Sequence, residues 1–293
     1  MTTILTRVAS AAAALATAGS LATATPAAAA PTYPGYTHMS ATAAFPGPVS
    51  NTGTYVDCPP GKLAIASGSV SGDPTGMLRS GSVTTAGTGA FASSQGRSGY
   101  ALEVRAHCVD AAALAGATTA STLVRDHTGG GWSYQVRKAT CPLGTVAFGG
   151  GGNMTTNGTY DIDGLYTYGT RPEGRSWTYA GAGALGTRAL FVESHCLPRK
   201  KLGRIVTVNR TVAGPDTVGG RHRVFGGARC PEGYVAFAGG AWFHKPGTSF
   251  PTWEGYFQIN MMDPDDRGWF AVGDTFQPGA RLTTRVRCTD RLG

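Results

Sequence analysis

The chain has 293 residues, with 25 Lys and Arg against 17 Asp and Glu, a formal charge of +8, and 14% charged residues in all. Hydrophobic residues make up 41% and glycines number 44. That balance excludes a disordered polymer, and it excludes a helical bundle because each interior Gly costs a helix about 1 kcal/mol against Ala.

Residues 1–7 carry one positive charge and no acid, residues 8–24 are almost wholly Ala, Leu, Thr, Gly and Val, and Pro26 leads into Ala27–Ala30. A basic head, an apolar middle and a small-residue end are the parts of a secretory signal peptide. Residues 1–30 are therefore expected to be removed near Ala29 or Ala30. The remainder is expected to be secreted and extracellular; it holds no apolar run near the ~18 residues of a bilayer span.

Six cysteines follow, at positions 58, 108, 141, 196, 230 and 288. An even count in an exported chain reads as disulfides, although six cysteines allow 15 pairings. An internal repetition narrows the choice. Cys58-Pro59-Pro60-Gly61 runs through Leu63-Ala64-Ile65 into Gly68, Cys141-Pro142-Leu143-Gly144 through Val146-Ala147-Phe148 into Gly151, and Cys230-Pro231-Glu232-Gly233 through Val235-Ala236-Phe237 into Gly240. Pro at the second and Gly at the fourth position make Cys-Pro-x-Gly a reverse turn, and an apolar strand follows it. The small-residue end suggests a bulge, or a place where another backbone passes close by.

Downstream of each turn, Leu102 to Cys108, Leu190 to Cys196 and Leu282 to Cys288 alternate apolar and polar residues, which sets each second cysteine on the apolar face of a strand. The simplest pairing is within each unit: Cys58–Cys108, Cys141–Cys196 and Cys230–Cys288. Phe91, Trp177 and Trp269 precede those cysteines at similar distances and read as core plugs. Further strand-like runs at 122–125, 133–138, 205–211 and 222–225 complete an all-β pattern. The expected architecture is three tandem disulfide-stapled β repeats, over residues 31–112, 113–200 and 201–293, packed as one pseudo-threefold, prism-like body. Three small β-sandwiches in a row are the alternative.

The Cys-Pro-x-Gly turn, the Gly-Gly end and the Cys-terminated strand resemble repeats in secreted proteins of high-GC Gram-positive bacteria. The threefold repetition is similar in architecture to the β-prism of the vitelline membrane outer layer protein. That resemblance implies an extracellular, disulfide-bonded, carbohydrate-associated protein and transfers no functional residue.

A hydrolase motif is missing: there is no Gly-x-Ser-x-Gly elbow and no Cys-x-x-Cys or His-x-x-x-His metal spacing. No catalytic residue, metal or cofactor is expected. His107 and His195 precede their closing cysteines, where the third unit has Arg287, and read as solvated strand positions. Arg199, Lys200, Lys201 and Arg204 open a basic stripe that continues through Arg210, Arg221, Arg223 and Arg229. Such a stripe suits an anionic polymer, and an extracellular setting sets nucleic acid aside. Trp242, Trp253 and Tyr256 belong to an aromatic crowd in the third unit, suited to stacking on sugar faces or to a partner surface. The expected function is non-catalytic binding of a cell-surface glycan, an anionic envelope polymer or a protein. An extracellular enzyme inhibitor or toxin component is the alternative, and an extracellular hydrolase the third reading.

Overall fold

A computed structural model describes residues 33–125, 132–156, 159–161, 165–184, 188–214, 221–244, 255–263, 265 and 267–293. The expected signal peptide and Trp253 lie outside these residues. The first stretch forms β1 (Thr37–Ala44), β2 (Ser50–Asp57), β3 (Lys62–Ser71), β4 (Met77–Val83), β5 (Gly89–Gly96) and β6 (Ala101–Asp110). Then come β7 (Thr118–Arg125), β8 (Trp132–Thr140), β9 (Thr145–Thr156), β10 (Thr159–Asp161), β11 (Leu165–Glu173), β12 (Ser176–Ala184) and β13 (Arg188–Pro198). The last are β14 (Ile205–Ala213), β15 (His222–Arg229), β16 (Val235–His244), β17 (Gly255–Met262), β18 (Gly268–Thr275) and β19 (Arg281–Thr289). Two short 3-10 turns, Ala111–Leu114 and Arg199–Lys201, link the three series. Among the described residues no helix is long and apolar enough to cross a membrane.

The three Cys-Pro turns share one geometry, displaced by one residue from the expected one. The closing hydrogen bonds run from Lys62 N to Pro59 O, Thr145 N to Pro142 O and Tyr234 N to Pro231 O. The Gly thus takes the third position of the turn, and Gly61, Gly144 and Gly233 have φ of 81°, 79° and 78°. Positive φ at that position is what a Gly supplies without steric cost. Each following strand bulges once against its partner, between Ala64 and Ala66, opposite His195 and Cys196, and between Ala236 and Ala238. The disulfides are Cys58–Cys108, Cys141–Cys196 and Cys230–Cys288, with Cα separations of 5.5 to 5.7 Å. Closing loops of 50, 55 and 58 residues contributes about 4 kcal/mol each in the chain-entropy account.

The ladders form four sheets: β1-β6-β3-β17-β18-β15, β10-β9-β13-β7, β14-β19-β16-β11-β12-β8 and β2-β5-β4. This four-bladed, propeller-like set of small sheets corrects the expected pseudo-threefold prism and the alternative row of sandwiches. The reason lies at the junctions. β3 pairs with β17 through Val70 and Ile259, and β11 pairs with β16 through Gly169 and Trp242. β4 packs on β9 without a ladder, so these strands stay in separate sheets. A threefold body needs the same ladder at every junction, and a row of sandwiches needs none.

Close backbone approach at the junctions explains the terminal Gly of each motif. A Cβ on Gly240 would lie 1.9 Å from Thr170 O, one on Gly151 2.3 Å from Gly81 O, and one on Gly68 2.4 Å from Met261 Cβ. Trp177 and Trp269 are buried at the centre and donate their indole N–H to Thr170 Oγ1 (2.7 Å) and Asn260 Oδ1 (2.6 Å). Phe91 does not match them. It is half-buried and its ring lies against Gly53. The polar-lined space between the two indoles measures about 30 Å³, room for about one water and no ligand.

Candidate functional site

Alternation along the strands gathers one set of side chains on a single face of the β14-β19-β16-β11-β12-β8 sheet. Trp242 of β16 lies opposite Thr283 of β19 and Gly169 of β11. Arg285 and Arg287 follow on the Thr283 side, Arg171 and Glu173 follow Gly169, and Lys138 of β8 shares a row with Thr178 and Arg171. A Cβ on Gly169 would sit 2.8 Å from Trp242 Cβ, so Gly at that position lets the indole cross the junction. The Arg171 and Arg285 guanidinium groups both lie over this ring, 3.9 and 5.1 Å from its centroid. Contacts of this kind are worth about 0.5–2 kcal/mol each, more as water is removed.

The electrostatics of the face are unbalanced. Lys138, Arg171, Arg285 and Arg287 face one carboxylate, Glu173, and that carboxylate is claimed by Lys138 Nζ at 2.6 Å and Thr178 Oγ1 at 2.8 Å. The Lys138 contact, with help from Thr178, holds the Glu173 carboxyl below its usual range. Burial pulls the Arg171 and Arg285 guanidinium groups below their usual values, and Arg285 adds a like-charge push on Arg171. Arg287 is lowered to about 10, by burial first and then by the charges of Arg285 and Arg199. Arg285 donates to Asn209 Oδ1 (2.7 Å) and Pro172 O (3.0 Å), and Arg287 to Ala147 O (3.0 Å) and Gly174 O (2.9 Å). Arg171 keeps two buried donors, Nε and Nη1, without an acceptor among the described residues. Tyr134 and Tyr168, with ring centroids 6.0 Å apart, flank this charge, and burial raises the Tyr134 hydroxyl's pKa. Partly dehydrated, mutually repelling guanidinium groups over a buried indole are an arrangement that can attract an anion.

Of the binding residues proposed from the sequence, Trp242 alone among the described residues sits within this cluster. Tyr256 is buried on β17 under Arg221, whose guanidinium lies 4.8 Å from its ring centre; burial pushes its hydroxyl up to about 12. The basic stripe is divided in space. Arg199 donates to Leu202 O and Gly203 O, Lys201 to Ala112 O, and Arg204 pairs with Asp290 at 2.9 Å; Lys200 is exposed. Arg221 and Arg223 clasp the buried Asp274, together with Gln258, and Arg229 pairs with Asp265. His107 and His195 are buried, not solvated. Arg171 and Arg285 escaped notice in the sequence because they stand far apart along the chain and only the β11–β16 junction unites them. The available signal was Arg287, the third-unit residue that departed from the two histidines.

No protein-family model matches the chain, and no curated protein matches it.

Proposed function

We propose that the protein is a secreted, non-catalytic binding protein for an anionic glycan or envelope polymer, held at the Arg171–Trp242–Arg285 face. One observation supports the reading above others: two guanidinium groups share one indole on a face whose single carboxylate among the described residues is already engaged. A polymer carrying carboxylate or phosphate groups on sugar or polyol units offers negative charge to the Arg171 and Arg285 guanidinium groups, which lie over the buried indole of Trp242. Three disulfides suit an extracellular setting. The test is retention of the oxidised protein on anionic and neutral polysaccharides at low and high salt, for the wild type and an Arg171→Gln, Arg285→Gln variant. Anionic retention that falls about tenfold or more in the variant, and falls with salt as screening shortens from about 10 Å to about 3 Å, is the expected result. Equal retention of both proteins overturns the proposal.

A further inference from the structure

His107, His195 and Arg287 each stand immediately before the second cysteine of a disulfide, and the surroundings of the three differ in a telling way. Arg287 reaches across to the carbonyls of Ala147 and Gly174 and lies 5.3 Å over the ring of Phe237. His107 is covered by Tyr36, whose hydroxyl is 2.5 Å from Nδ1, and by the His38 ring at 5.2 Å. His195 has neither arrangement. The residue equivalent to Tyr36, one before the strand partner of the cysteine, is Ala117. The imidazole stops beside Phe148, the equivalent of Phe237, with ring centres 5.9 Å apart. What remains is a cleft of about 370 Å³ between the β4–β5 turn and the start of β7, walled by Leu63, Leu114, Ala117 and Phe148.

Ala64 and Gly87 line this cleft at the positions that Ala147 and Gly174 occupy around Arg287, and Thr85 lines it two residues before Gly87. Its polar groups include both acceptors and hydroxyl donors. Thr85 O already takes the Thr119 hydroxyl at 3.2 Å, and His195 Nδ1 lies 3.5 Å from the same hydroxyl. Behind His195 is the buried Glu193 carboxylate, 3.7 Å from Nε2 and bonded to the Thr85 hydroxyl at 2.9 Å. Glu193 stands three residues before its cysteine, as Arg285 does before Cys288. Behind His195 there is thus a buried carboxylate where Arg287 has another guanidinium nearby, a field that favours a cation in the cleft. The volume falls in the range of small-ligand sites, and its lining joins an apolar wall to a polar side.

We infer that this cleft binds a guanidinium group on an aliphatic stem, as in arginine or an arginine side chain, in the manner in which the chain holds its own Arg287. The inference is independent of the anion-binding face. Calorimetric titration of the disulfide-bonded full chain with Nα-acetyl-arginine methylamide, free arginine and the neutral citrulline analogue tests it. The acetylated arginine should bind saturably and the citrulline analogue about tenfold more weakly or less, since loss of one charge-assisted contact costs about that factor. Free arginine binding equally well assigns recognition to the side chain alone, and weaker binding assigns it to a peptide. Ala117→Tyr, which supplies the ring that Tyr36 provides elsewhere, should abolish binding and leave polysaccharide retention unchanged. His195→Arg should also abolish binding, by filling the cleft from within, and should raise the melting temperature; it decides the matter if Ala117→Tyr does not fold. Absence of arginine binding, equal binding of citrulline, or full binding by a folded filled variant overturns the inference.

Discussion

The β11–β16 and β3–β17 junctions share a backbone plan and one arginine, and differ in the side chains around it. Where one has Trp242, Arg171 and Arg285, the other has Val70, Met261 and Arg105. Arg105, opposite Gly68 as Arg285 is opposite Gly240, is gripped by its neighbour Glu103 through Nε at 2.7 Å and Nη2 at 3.1 Å. Arg285 has the uncharged Thr283 at that place. One junction is thus internally neutralised and lacks an indole, while the other leaves cationic donors beside one. The comparison teaches that the glycine-dependent crossing is the scaffold, and that a few surface-side substitutions decide whether it carries a binding face.

Breaking the crossing should have the largest effect. Gly240→Ala places a methyl 1.9 Å from the Thr170 carbonyl oxygen and 2.8 Å from Arg171 Cα, backbone atoms that move only if the sheet splays. Overpacking of this kind costs about 1–3 kcal/mol, and the upper end is expected here, read as a lowered urea midpoint. Gly68→Ala meets Met261 Cβ at 2.4 Å and Cα at 3.1 Å and should destabilise somewhat less. Polymer retention should fall with Gly240→Ala and survive Gly68→Ala wherever the protein remains folded. Equal loss of retention in both would make the two junctions functionally alike and erase the distinction.

A gentler change should convert one junction's electrostatics into the other's. Asn209 already accepts from Arg285 Nε through Oδ1 at 2.7 Å, so Asn209→Asp supplies, at unchanged shape, the charge that Glu103 supplies to Arg105. Retention on anionic polymers should drop several-fold. Stability should change by no more than about 1 kcal/mol, the ordinary range for a partly exposed pair. Undiminished retention would show that the charge on Arg285 is not what the polymer reads.

How much of this was legible follows from the range of each interaction. The Cys-Pro turns, the alternating strands and the cysteine pairing are set by residues close in sequence or by a repeated pattern, and the sequence displayed them. The turn position slipped by one because Pro and Gly fit two neighbouring placements, and only the positive φ of Gly61, Gly144 and Gly233 distinguishes them. The number of sheets was not legible. It depends on whether β4 and β9 form a ladder as β11 and β16 do, and no local pattern records that. Trp242 was recognisable as an aromatic in an unusual place; its partners Arg171 and Arg285 come from other strands and carry no shared motif. The contiguous basic stripe misled because charge close in sequence is dispersed by β geometry, half of it onto Asp265, Asp274 and Asp290.

Acid sensitivity should mark the β3–β17 side with a smaller effect. The loop after β3 is fastened there by the Pro74 carbonyl, which accepts from Arg221, Arg223 and Gln258, and by Asp73. Burial alone would raise the Asp73 carboxyl, but hydrogen bonds from the Arg97 guanidinium and from Thr75 outweigh it and hold the group at about 2, against an ordinary 3.8. A carboxyl depressed in the folded state stabilises fully above its unfolded value and loses that contribution as pH falls toward the folded one. The window is therefore from about pH 4 down to about pH 2. Across it, amide exchange should accelerate in the loop 71–76 and at the neighbouring edge of β17 before it does so in β11 and β16, whose crossing has no such buried carboxylate among the described residues. Asp73→Asn should flatten this response and leave exchange at Trp242 unchanged. Simultaneous loosening of both crossings would instead mean that the sheets open as one unit, and that the two junctions differ in charge but not in how firmly they are held.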